Sequence, residues 1–324
     1  MTTDEPSASG LSPDEAFAVV ADETRLGILR TLAEAGEPLA FSTLFERSEY
    51  DTRSNFSYHL DRLEGHFVGR TDGGYLIRQA GRRVVEAVIS GTMTDDPVVD
   101  SAPTDRPCPF CSAPIEVSYQ QERVEMYCPE CPGAVRREES GEQPTTESGT
   151  LGHIGNMSLP PAGVHGRTPT EMLKAAQAWL HLDVMADSAG FCSRCSGVIE
   201  HSATVCEDHD GTDGICDHCD RRYAVRFEVE CATCHYNERG IAPACLLGTT
   251  ELLSFLTDHG GNPLMPDTYD VAPGAVATYG EDVRSVEPLE AAFTFTIGDD
   301  SITLTIDEDV SIVDVTRERG SEPA

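Results

Sequence analysis

Five Cys-x2-Cys pairs constrain this chain more than anything else in its 324 residues. Ten of the twelve cysteines fall into the pairs Cys108/Cys111, Cys128/Cys131, Cys192/Cys195, Cys216/Cys219 and Cys231/Cys234, which leaves Cys206 and Cys245 outside. Two such pairs brought together offer four sulfurs arranged tetrahedrally around a metal ion. Disulfides are the rival use of so many thiols, but they belong to oxidising compartments. The N-terminal stretch MTTDEPSASGLSPDE is acidic and polar, with neither the basic start nor the apolar core of a secretory signal. No apolar run approaches the roughly 18 residues that a membrane span needs. The expectation is a cytoplasmic chain with no membrane partner, using its cysteines for metal.

The first cluster reads as a zinc ribbon over residues 107–135. Sixteen residues separate Cys111 from Cys128, and within them IEVSYQQERVEMY alternates as a hairpin does. Two thiolate turns joined by a hairpin place Cys108, Cys111, Cys128 and Cys131 around one ion. Farther on, FCSRCSGVIEHSATVCEDH and ICDHCDRRYAVRFEVECATCH look like an internal repeat. The favoured reading is two successive sites, one of Cys192, Cys195, Cys206 and His209, the other of Cys216, Cys219, Cys231 and Cys234. The alternative pairs Cys192 and Cys195 with Cys216 and Cys219 and interleaves the rest. Spacing alone does not choose. The cofactor expected is Zn2+, structural, two to three ions, because complete four-ligand sets leave no open position for catalysis. Cys231–His235 also fits the Cys-x2-Cys-His pattern of haem attachment, but that chemistry needs export. Cys245 reads as a small buried apolar residue, with a free sensing thiol as the other reading.

The net charge is −33, from 56 acids against 23 bases, and Lys174 is the one lysine among those bases. Acid-rich, lysine-poor surfaces resemble those of haloarchaeal proteins. A strong net charge of one sign favours solubility and says little about fold. It also opposes nucleic-acid binding, since phosphate contacts need basic side chains. Locally the balance differs. Residues 50–90 hold six arginines (53, 62, 70, 78, 82 and 83) against five acids, a near-neutral stretch in a very acidic chain.

That stretch lies in an N-terminal module over residues 11–91. Ser12-Pro13-Asp14-Glu15 has the form of a capping box at a helix start. A second helix is predicted from Asp22 to Ala35 with Gly36 as its stop, and a third, short one over Ser42 to Arg47. In DTRSNFSYHLDRLEGHFV the apolar Phe56, Leu60 and Leu63 recur at helical spacing. The remaining faces present Arg53, Ser54, Asn55, Ser57, Tyr58, His59 and Arg62, groups suited to base edges and phosphates in a major groove. FVGR-TDGG-YLIR then reads as a hairpin whose Arg70 and Arg78 reach for backbone phosphate. A final helix from Gln79 to Ser90 offers apolar residues for packing or dimerisation.

ADETRLGILRTLAEAG resembles the second-helix signature of ArsR-type winged helix-turn-helix regulators. NFSYHLDRLEGHFV and GGYLIRQAGRRV resemble the recognition helix and wing of the haloarchaeal branch of that superfamily. The resemblance implies a homodimer on double-stranded DNA, with the helix Ser54 to Arg62 in the groove. Metal-sensing members carry cysteine pairs in this domain, whereas this chain has none before Cys108, so any response to an effector moves C-terminal.

The expected organisation is an α+β multidomain chain. The winged helix (11–91) is followed by a linker (92–106), the ribbon (107–135) and a loop or flexible segment (136–167). Residues 168–316 hold a helix from Pro169 to Ala186, the tandem cysteine region, a helix near Thr249 to His259, an irregular stretch, and a C-terminal β-hairpin with a possible third strand. The leading function is a transcriptional regulator rather than an enzyme. The alternatives are a zinc-ribbon module docking on transcription machinery and a thiol-based redox sensor.

Overall fold

The structure is a computed structural model that describes residues 10–48, 50–136, 145–146, 149–211, 214–263, 265 and 277–320. The chain divides into two compact units, Met1–Asp95 and Asp96–Ala324. Among the described residues, no helix is long and apolar enough to cross a membrane.

The first unit begins with α1 (Pro13–Val20), whose capping box forms as the sequence predicts. The Glu15 N–H donates to the Ser12 hydroxyl, while the Glu15 carboxylate accepts from the Ser12 N–H at 2.9 Å. Asp22 caps α2 (Glu23–Ala35) by accepting from the Arg25 N–H, and Gly36 ends it at φ 65°. Two more helices follow, α3 (Phe41–Arg47) and α4 (Arg53–Leu63). Phe56, Leu60 and Leu63 turn one stripe of α4 onto Ile28, Leu29 and Leu32 of α2, and all six are buried. The strands β1 (Val68–Thr71) and β2 (Gly74–Ile77) form an antiparallel hairpin. Leu39 and Tyr75 exchange two backbone hydrogen bonds across its edge. A side chain on Gly74 would overlap the Leu39 carbonyl, and its φ of 122° suits glycine, so the turn needs this residue. The unit closes with α5 (Gln79–Ile89).

The second unit starts with β3 (Val99–Pro107), β4 (Pro114–Gln120) and β5 (Arg123–Cys128). Residues 92–106 are therefore not wholly a linker. From Val99 onward the chain pairs with β4, burying Thr104 and Arg106, despite the prolines and acids that made it read as loop. Of the expected loop 136–167, residues 137–144, 147 and 148 lie outside the described residues. The remainder contains the short pair β6 (Thr145–Thr146) and β7 (Gly149–Thr150), and then β8 (Gly152–Ser158). β8 joins the ribbon to complete a sheet of order β3-β4-β5-β8. Its sequence, GHIGNMS, hides this role because glycines and polar residues interrupt the alternation.

The long helix α6 (Pro169–Ser188) carries a second capping box, Thr168 with Glu171. It serves two cores. Met172, Leu173 and Ala176 pack on the ribbon sheet. Val184, with the half-buried Leu180 and Met185, packs into a second core. That core rests on a sheet of order β11-β10-β9, built from β9 (Ile199–Val205), β10 (Val225–Cys231) and β11 (Asn237–Gly240). It continues through the helices α7 (Pro243–Leu246) and α8 (Thr250–Asp258). The C-terminal part holds β12 (Gly280–Ser285), β13 (Glu290–Ile297), β14 (Asp300–Ile306) and β15 (Ile312–Glu318) in that spatial order. The hairpin around Gly298 and its third strand are present. β12 adds a fourth where an irregular stretch is expected, because Val283 is the one apolar side chain in GEDVRS. Phe293 and Phe295 of β13 pack with Phe227 of β10 and with Tyr279, fusing this sheet to the cysteine-rich region.

Candidate metal centres

The five cysteine pairs are built on closely related turns. In four of them the N–H of the first cysteine donates to the carbonyl five residues on, and the N–H four residues on donates back to the cysteine carbonyl. These turns start at Cys108, Cys192, Cys216 and Cys231, with distances of 2.7–3.2 Å. Such a turn needs a left-handed residue directly after the second cysteine. Ser112, Ser196, Asp220 and His235 take φ between 55° and 66° there. In the fifth pair Pro132 occupies that place, and its ring forbids positive φ. Gly133 takes the left-handed position one residue later, at φ 79°.

The pairs meet as three sets of four ligands, each set with its ligand atoms within 4.8 Å of one another: Cys108/Cys111/Cys128/Cys131, Cys192/Cys195/Cys231/Cys234 and Cys206/His209/Cys216/Cys219. A tetrahedral ion with bonds of about 2.3 Å to sulfur and about 2.0 Å to nitrogen requires sulfur–sulfur edges of about 3.8 Å and sulfur–nitrogen edges of about 3.5 Å. The observed sulfur–sulfur separations include Cys108–Cys131 at 3.7 Å, and both Cys192–Cys234 and Cys195–Cys231 at 3.6 Å. Cys219 Sγ lies 3.5 Å from His209 Nδ1. A disulfide would bring two sulfurs to about 2.05 Å, and all twelve cysteines are free thiols. Backbone N–H groups of Cys131, Arg194, His218 and Thr233 donate to ligand sulfurs at 3.3–3.4 Å, which favours the thiolate form that a metal needs. The three sets can hold metal ions.

The twelve expected ligands are those brought together, but their partnering corrects both sequence readings. Neither successive nor interleaved, the second and third sets are nested. The register of β9 against β10 is the reason. Antiparallel pairing joins Ile199 to Cys231 at one end and Val205 to Val225 at the other. The start of β9 therefore meets the end of β10, which unites Cys192/Cys195 with Cys231/Cys234. The loop end unites Cys206 and His209 with Cys216 and Cys219. Each strand-rich spacer of the apparent repeat is a single strand, and the two strands pair as one hairpin.

The inner set also joins the ribbon. The Arg222 N–H donates to the Ala134 carbonyl, the Arg136 N–H donates to the Asp220 carbonyl, and the Arg222 guanidinium lies 4.3 Å over the Phe110 ring. Arg136 pairs with Asp217 at 3.0 Å and Asp220 at 2.7 Å. His235, the haem-pattern histidine, is exposed and outside every ligand set. Cys245 is buried, and burial pushes its thiol up to about 12, so it is an inert packing residue.

In the first unit, Arg53, Ser54, Asn55, Tyr58 and Arg62 share the exposed side of α4, and Ser57 is half-buried. His59 departs from the expected reading face. It is mostly covered and turns towards Asp22 at the start of α2, 3.4 Å away. Arg70 is exposed on the hairpin, above the Tyr75 ring. The Arg78 guanidinium donates to the Gly65 carbonyl, so this side chain ties the hairpin to the end of α4.

Two features escape the sequence reading. His153 and Glu125 form a buried pair, 2.8 Å apart, beneath the ribbon. Gln177, His181, Val184 and Asp187 run along one side of α6, where a stripe of packing residues would be apolar throughout. The recurrence of polar residues at the spacing of Leu173, Leu180 and Val184 is the available signal.

The family described as a domain of unknown function, DUF7351, matches residues 105–312, well over half of the chain. The chain belongs to the DUF7351 family. In this protein the matched span takes in all three candidate metal sets and ends at the start of β15. The first unit matches a second domain of unknown function, DUF7347, over residues 13–88. No curated protein and no solved structure matches the chain.

Proposed function

We propose that this DUF7351 protein is a DNA-binding transcriptional regulator, a homodimer whose second unit is held together by three structural zinc ions. The observation that carries the reading is the exposed side of α4. Arg53, Ser54, Asn55, Tyr58 and Arg62 stand there together while Phe56, Leu60 and Leu63 anchor the helix from behind. Helices α2 to α4, the hairpin β1-β2 and α5 follow one another in the order of a winged helix, with α4 in the recognition position. Arg70 is exposed on the hairpin, which leaves its guanidinium available to a backbone phosphate. Ile89 of α5 and the nearby Met93 are large, exposed apolar groups available to a second copy. Donor sets of four sulfurs, or of three sulfurs and a nitrogen, suit zinc among divalent ions, and complete sets speak for structural rather than catalytic metal.

Genome-wide DNA occupancy of the wild type against a variant with Arg53→Ala, Asn55→Ala and Arg62→Ala is the test. Site-specific occupancy should fall at least about tenfold, since base contacts contribute about 1–3 kcal/mol each. Unchanged occupancy removes α4 from the reading.

A further inference from the structure

The long helix α6 is apolar on two sides, and the protein uses one of them. Its inner side, around Leu173, Leu180 and Val184, packs into the two cores of the second unit. The opposite side carries Ala175, Ala178, Trp179, Leu182 and Ala186, which recur at helical spacing along one stripe. A surface helix of ordinary amphipathic pattern would place charged residues there. Trp179 is 37% exposed and Leu182 56%.

The end of α6 extends that stripe. The Phe191 N–H donates to the Ala186 carbonyl at 3.1 Å, and the Gly190 N–H to the Asp187 carbonyl at 2.9 Å, with Gly190 at φ 81°. These two bonds make a Schellman motif, which turns the residue after the glycine back towards the last turn of the helix, on the Ala186 side. Phe191 then pairs with Val198 across an antiparallel bridge, so the two side chains share a face. Phe191 is 60% exposed and Val198 65%. Single exposed apolar residues need no explanation, but a continuous row of large ones marks a contact surface.

Charge says what covers it. The chain carries −33, so a second copy is repelled wherever two acidic surfaces meet. From residue 175 to 193 the acids are Asp183 and Asp187, and both are buried, as is His181. Charged side chains return at the two ends of the face, Glu171 and Lys174 at the start and Arg194 and Glu200 at the finish. A two-fold axis near Leu182 lays α6 antiparallel on its copy, apolar stripe on apolar stripe, with the alanines allowing close approach. The same axis sets Glu171 and Lys174 of one copy opposite Arg194 and Glu200 of the other, where opposite signs can be matched. A foreign partner selected by its charge would find nothing to read along the stripe.

We infer that this face of α6, with Phe191 and Val198, is an interface between two copies of the chain. The inference deepens the homodimer proposed above by naming its contact in the second unit. It requires neither that α4 read DNA nor that Ile89 and Met93 take part.

The test is sedimentation and fluorescence of the full, zinc-loaded chain over a dilution series in about 2 M KCl, where the Debye length is under about 3 Å and net-charge repulsion is screened. The wild type should form a dimer that dissociates on dilution. Trp179 is the one tryptophan in the sequence, so it reports on this face alone. Its emission should move to the blue in step with the dimer, because association takes the ring out of water. Leu182→Glu, at an exposed position, places two like charges at the axis and should weaken the dimer at least about tenfold. Val313→Glu, the same kind of change at an exposed position on β15, should leave it unchanged. A monomer throughout, a Trp179 emission that stays fixed while the dimer forms, or a dimer indifferent to Leu182→Glu would each overturn the interface. A dimer lost in Ile89→Glu but kept in Leu182→Glu would also overturn it, while leaving the homodimer of the proposed function in place through the first unit. DNA occupancy is no part of the readout, so the reading of α4 stands or falls separately.

Discussion

Gly152 begins β8 against the carbonyl of Cys131, so close that any Cβ there would overlap the oxygen. An alanine must push one of the ligand turns of the ribbon away from its set. Gly152→Ala should cost about 1–3 kcal/mol of stability, the usual penalty for overpacking, and should speed metal release from the ribbon in a chelator competition. Unchanged release would show that the strand yields instead of the turn. His259 gives a pH signature elsewhere. The carbonyl of Phe255, and then Asp300 at 3.0 Å, raise its affinity for a proton above the usual 6.5. A raised value means that the charged form stabilises the fold below the unfolded-state value, and that this contribution is lost as pH climbs through the folded-state value. The Tm difference between wild type and His259→Gln should therefore be largest near pH 5 and shrink towards pH 8. A difference that grows with pH would contradict the assignment.

Elements carry the partnering of the cysteines. On the proposal of three ions per chain, Cys192→Ser should leave two. Adding Cys231→Ser should still leave two, because both residues serve one ion. Adding Cys206→Ser to Cys192→Ser should instead leave one. Successive pairing demands the reverse pattern, so metal analysis of two double variants separates the readings. The cap of α6 is a simpler case: Thr168→Ala should cost about 1 kcal/mol, read as a shift in the urea midpoint. Elements with local signals were legible in the sequence. Ser12, Asp22 and Thr168 announce helix starts through their own side chains, and Phe56, Leu60 and Leu63 mark a face. The twelve ligand residues were legible too, because a two-residue spacing is local. Partnering was not, since it depends on which strand lies beside which, and β9 and β10 are separated by their own ligands. β3, β8 and β12 escaped for a related reason. They are edge strands, each paired on one side only, and their sequences need not alternate cleanly.

At the scale of the molecule, the metal candidates divide the chain unevenly. All twelve ligands lie in the second unit, and the first holds its own apolar core of fourteen buried residues from Val19 to Val85. Chelation should therefore lower or abolish the melting transition of the second unit while that of the first stays in place, as calorimetry can resolve. A single transition moving as a whole would show that the units melt together. The nested arrangement of ligands also imposes a schedule on synthesis. As the chain leaves the ribosome N-terminus first, Cys192 and Cys195 emerge before any partner and then see Cys206 and His209 pass, the wrong companions, before Cys231 arrives. The inner set is complete once Cys219 is out, so the later half of the hairpin closes from its tip. A metal held early by the outer pair together with Cys206 and His209 would have to exchange those two ligands for Cys231 and Cys234, so correct assembly would call for ligands that still exchange while the chain emerges.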